Sequence, residues 1–115
     1  AAGALLIGGI GSVDAANWYT VGTDSNGITW SIDNDSVKKD DKKAVLDIKA
    51  MDYEGYHYIV TEEFNHKKRE VKDLKVTLYN PKGEVVKQEQ PNKSTRKVEQ
   101  GTPAYAVYTL IWGDK

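Results

Sequence analysis

The sequence predicts an α+β domain, an antiparallel β-meander sheet packed against one C-terminal α-helix. Three observations carry this. First, short runs alternate apolar with polar residues, as half-buried strands do; Ile28, Trp30 and Ile32 against Thr29, Ser31 and Asp33 are one example. Second, clusters of Asn, Asp, Gly and Pro break these runs at short intervals. Third, the apolar spacing lengthens to three and four only after Gly101, placing Ala104, Val107, Tyr108 and Ile111 on one stripe. A lone amphipathic helix must cover an apolar surface, and the strands supply one.

Taken in order, residues 17–21 (Asn-Trp-Tyr-Thr-Val) are rich in aromatic and β-branched side chains and read as a strand. Residues 23–27 turn the chain, with Asn26-Gly27 as a hairpin signal because both tolerate positive φ. A strand over 28–33 ends where residues 33–36 bond their own backbone. Residues 38–43 (Lys-Lys-Asp-Asp-Lys-Lys) form a solvated turn, followed by a strand over 44–51 with Leu46, Ile48 and Ala50 on one face. Residues 56–64 repeat the pattern with Tyr56, Tyr58, Val60 and Phe64. Residues 66–73 are charged and read as a strand edge or a loop. Leu74, Val76 and Leu78 define a half-buried strand, Asn80-Pro81-Lys82-Gly83 a β-turn, and 84–89 its return strand. A turn at 91–93 and a short strand at 95–99 follow. Thr102 then caps a helix whose first turn holds Pro103 and which stops at Gly113. Internal repetition is absent.

A chain of 115 residues supports one domain, and the lack of cysteine excludes disulfide scaffolds and thiolate zinc sites. A net charge of −1 gives no global attraction to nucleic acid. Residues 1–11 are uncharged, small and apolar, and Val13 and Ala15 suit a signal-peptidase site. Residues 1–15 are therefore read as a signal-peptide remnant and 16–115 as the domain. The expected address is secreted, periplasmic or cell-surface, with no stable membrane insertion after cleavage.

Charge is uneven along the domain. Residues 66–97 hold ten Lys and Arg against four acids, while 16–63 hold five against ten. This points to a partner-binding patch for a polyanion or an acidic protein on Lys67, Lys68, Arg69, Lys93, Arg96 and Lys97, acting through salt-sensitive attraction. The competing reading is a set of solvated turns that neutralise the other half. Tyr53 and Tyr56, flanking Gly55 in a turn, join the patch as exposed anchors of the kind a sugar- or protein-binding platform uses, whereas Trp30, Tyr58 and Tyr108 are expected in the core. Asp33, Asp35, Asp40 and Asp41 lack the spacing of a calcium loop, and His57 and His66 have no zinc-pair neighbours. No metal or cofactor is expected. Catalysis is not expected either: no serine lies in a Gly-x-Ser-x-Gly elbow, and Glu62 and Glu63 face opposite ways in a strand.

The order of Trp18, the run Gly-Ile-Thr-Trp-Ser-Ile-Asp-Asn-Asp-Ser over 27–36, the strand over 44–50, the Asn-Pro-Lys-Gly hairpin within 74–86 and the closing Gly-Thr-Pro-Ala helix start resembles the surface-adhesin protein E-like family of small secreted bacterial proteins. The resemblance covers nearly all of residues 17–113. It implies a compact antiparallel sheet on a helix, an extracytoplasmic address and, for the member that names the family, binding of host extracellular-matrix proteins. The cysteines that form a disulfide in that member are missing here. The expected function is a secreted or cell-envelope binding module, an adhesin touching matrix proteins through its patch. The alternative is an envelope structural protein that self-associates through an open sheet edge.

Overall fold

Strand follows strand until the last element, broken only by a 3-10 turn at Asn34–Ser36 among the described residues, in a computed structural model that describes residues 16–113. The segment read as a signal peptide lies outside the described residues. The strands are β1 (Trp18–Thr23), β2 (Thr29–Asp33), β3 (Lys38–Lys39), β4 (Lys43–Met51), β5 (His57–Asn65), β6 (Glu70–Tyr79), β7 (Val85–Glu89) and β8 (Arg96–Lys97). The helix α1 (Pro103–Trp112) closes the chain. The sheet runs β1-β2-β4-β5-β6-β7, with β3 added to β4 and β8 to β6. All the pairings are antiparallel, so the α+β meander read from the sequence is the observed architecture.

One turn design builds three of the hairpins. Asp24, Asp52 and Asn80 each accept, through the main-chain carbonyl, the N–H of a glycine three residues on, at 3.0, 3.1 and 2.9 Å. Each also accepts two further backbone N–H groups through its side-chain oxygen. The closing Gly27, Gly55 and Gly83 have φ of 81°, 96° and 84°, a region that costs a side chain energy. The first turn is thus anchored by Asp24 and spans four residues; Asn26-Gly27 alone does not make it. The same Asx-x-x-Gly pattern recurs every twenty-eight residues, a repetition missed because two of its four positions vary.

The helix begins and ends on local chemistry. Thr102 Oγ1 accepts the Tyr105 N–H at 3.2 Å, Pro103 needs no partner in the first turn, and Gly113 at φ 85° returns its N–H to Thr109. Val107, Tyr108 and Ile111 are buried against Ile32, Ala44, Leu46, Ile48, Phe64, Val71 and Val98. Tyr108 donates to the His66 carbonyl at 2.7 Å, and Trp112 stacks on His66 with ring centroids 4.3 Å apart.

Several expectations need correction. Residues 66–69 form the β5–β6 turn, and everything from Glu70 to Tyr79 is one strand. Only Arg96 and Lys97 of the 95–99 segment pair. Lys38 and Lys39 pair with Val45 and Ala44 instead of lying wholly in a turn. Tyr58 is on the helix side yet 36% exposed, and Trp30 is only half-buried. A helix of ten residues spans about 15 Å, whereas the nine-residue β5 runs about 30 Å, so α1 covers only part of that face.

Candidate functional site

The long strands separate two ends of the sheet, and the sequence-predicted residues divide between them. At one end the β5–β6 turn carries Lys67, Lys68 and Arg69, all exposed. Asn65 Oδ1 accepts the Lys68 N–H at 2.9 Å, fixing the turn. Arg69 has φ 53°, and its guanidinium lies 5.6 Å from the Tyr108 ring centroid. Its carbonyl accepts the Val98 N–H at 2.8 Å, which brings β8 alongside. Lys97 therefore reaches the Lys68 carbonyl at 3.2 Å and Glu70 at 3.7 Å. Lys93 is exposed in the loop whose Asn92 carbonyl accepts the Asp73 N–H. The fold adds two residues that the sequence reading assigned to the acidic half. The Lys42 carbonyl accepts the His66 N–H at 2.9 Å, so Lys42 and Lys43 belong to this end as well.

Arg96, with a side chain 38% exposed, is held by carboxylates. Its guanidinium contacts Asp73 at 2.9 Å and Glu62 at 3.4 Å. Glu62 and Asp73 are register partners on β5 and β6, on the helix side of the sheet, with Leu46 opposite Glu62 on β4. They meet because a bulge between Thr61 and Glu62 leaves Leu74 without a register partner and turns Asp73 onto the apolar face. The Glu62 carboxyl is pushed up to about 8, first by burial, then by the hydrogen bond and negative charge of Asp73, with Arg96 pulling it down. Burial and Asp73 thus favour the protonated carboxyl at Glu62, and Arg96 opposes them.

Tyr53 and Tyr56 lie at the far end, in the β4–β5 turn, where the Gly55 backbone faces Pro81 of the neighbouring turn. Both are exposed, as expected, but about 30 Å of strand separates them from the lysines. They do not form one patch with Lys67 and Lys68.

Sequence reasoning also passed over the sheet face that α1 leaves open. Cross-strand partners share a face, so Trp18 with Asp33, and Asp47 with Thr61 and Lys75, lie on it, the β2–β4 ladder ending one residue before Asp33 and Asp47 at Ile32 and Ile48. The sheet curls enough for Trp18 and Tyr79 to line one cleft of about 230 Å³. Lys49 Nζ lies 4.5 Å from the Trp18 ring centroid, and burial holds its ammonium below the usual lysine range. His57 stacks on Tyr79 with centroids 5.3 Å apart, bracing that wall.

No protein-family model, curated protein or solved structure matches this chain.

Proposed function

We propose that the chain is a binding module of a bacterial envelope or secreted protein that contacts an acidic protein through its lysine-rich end. The observation that carries this is the tip of the β5–β6 turn. Lys67 and Lys68 stand exposed and adjacent there, without a carboxylate partner among the described residues. Backbone and side-chain hydrogen bonds hold the turn in one shape, so little ordering cost opposes binding. Exposed cations of this kind steer association and weaken as salt rises. The resemblance to the surface-adhesin protein E-like family and the apolar run over residues 1–11 support an extracytoplasmic address, and the resemblance supports a host matrix protein as partner.

The test is binding of the full chain to immobilised extracellular-matrix proteins and to poly-glutamate at low and high salt. Wild type is expected to bind at low salt, and Lys67→Glu/Lys68→Glu to lose about tenfold or more. Equal binding by the double variant, or binding to neither probe, overturns the proposal.

A second reading, an envelope component that self-associates, is favoured by the sheet edge β7, where Val85 and Val86 are 57% and 50% exposed. In that case sedimentation shows a dimer that Val86→Lys dissociates. A monomer at every concentration removes this reading.

A further inference from the structure

We infer that the open face of the sheet carries a second site, a cleft that takes one ring of a neutral sugar. The site is independent of the lysine end. Its walls divide into two kinds. Trp18, Tyr79 and Ile59 offer aromatic and apolar surface, with one contact on the Trp18 ring already taken by Lys49 Nζ and one on the Tyr79 ring by His57, while Asp33, Asp47, Thr61, Lys75 and Thr77 offer polar atoms. A sugar ring is amphipathic in the same way, with C–H groups on its faces and hydroxyls around its rim. Aromatic side chains suit the first part and convergent polar groups the second.

The polar atoms are partly spoken for, and the remainder defines the ligand. Asp33 Oδ1 accepts the N–H groups of Asn17 and Asp35 at 2.9 and 3.0 Å. Asp47 Oδ1 accepts the Thr61 hydroxyl at 2.6 Å. Each carboxylate keeps its second oxygen as an acceptor. The Thr77 hydroxyl donates to Gln88 Oε1 at 3.0 Å and keeps its lone pairs. Lys75, the register partner of Thr61, is exposed and supplies donors from β6. An organic cation would satisfy the two carboxylates but meet the Lys75 ammonium and that of Lys49, which already lies 4.5 Å from the Trp18 ring centroid. An anion would suit Lys75 and be repelled by the carboxylates. A neutral polyhydroxyl ring, whose hydroxyls both donate and accept, answers all of them. The volume of about 230 Å³ suits a single ring and not an extended chain.

The experiment is titration of the isotope-labelled full chain with glucose, galactose and N-acetylglucosamine, followed by amide shifts. At least one sugar is expected to give saturable shifts at Asp47, Thr61, Lys75 and Thr77, with a dissociation constant on the order of 1 mM. Trp18→Ala and Asp47→Asn are expected to weaken it about tenfold or more. Should Trp18→Ala fail to fold, Asp47→Asn and Lys75→Ala carry the test. Binding is also expected to persist at high salt and in Lys67→Glu/Lys68→Glu, which separates it from the lysine-end interaction. No saturable shift with any of the three sugars, shifts confined to other surfaces, or choline binding here in their place overturns the inference.

Discussion

Tyr108→Ala is expected to destabilise the protein by about 3–5 kcal/mol, while Leu110→Ala, two residues away, changes stability by less than about 0.5 kcal/mol. Tyr108 is fully buried at 2% exposure, and Leu110 is 48% exposed. The tyrosine ring sits among Trp112, His66 and Tyr105, with centroids 5.2, 5.7 and 6.4 Å away, so alanine leaves a large cavity. Its hydroxyl satisfies the His66 carbonyl, which makes Tyr108→Phe the milder change at about 1 kcal/mol. A ten-residue helix has little stability of its own and depends on packing. Since domains of this size hold only about 5–15 kcal/mol in total, the alanine variant approaches the limit of folding. Urea denaturation of the three variants checks the ranking. Equal midpoints for Tyr108→Ala and Leu110→Ala would mean that the helix does not seal the sheet.

The second large effect depends on pH. Because the Glu62 carboxyl rises to about 8 in the folded chain, against 4.5 ordinarily, the folded state holds this proton more tightly than the unfolded state. That stabilisation is present in full below about pH 4.5 and is lost as pH rises through about 8. Glu62→Gln preserves a neutral donor toward Asp73 and cannot ionise. Relative to wild type it should therefore gain roughly 3–4 kcal/mol between pH 5 and pH 9. Comparing the two proteins cancels the other titrating groups. Parallel stability curves across that range would show that Glu62 is ionised throughout.

What was legible in the sequence was local. Asp24, Asp52 and Asn80 bond to backbone within four residues, and Thr102 caps its own helix, so the turns and the helix start could be read from neighbours alone. The strands were legible because one face had to be apolar. The site residues were not, because they depend on register. Strict alternation in β6 puts Asp73 opposite the Leu74, Val76 and Leu78 face; the bulge at Leu74 reverses this and delivers Asp73 to Glu62 and Arg96. Thus Arg96, counted among the patch cations, is held by carboxylates. Lys42 reached the lysine end only through the contact between two turns, and Tyr53 left it because hairpin ends alternate from one side of the sheet to the other. The cleft draws Trp18, Asp47 and Tyr79 from three strands whose meeting depends on how far the sheet curls.

The most direct measurement is a titration of the labelled chain with poly-glutamate, read residue by residue at two salt concentrations. Recognition at the β5–β6 turn predicts shifts at Lys67, Lys68, Arg69 and Lys97 that shrink as salt rises. Shifts centred on Tyr53 and Tyr56, or none at low salt, would contradict it.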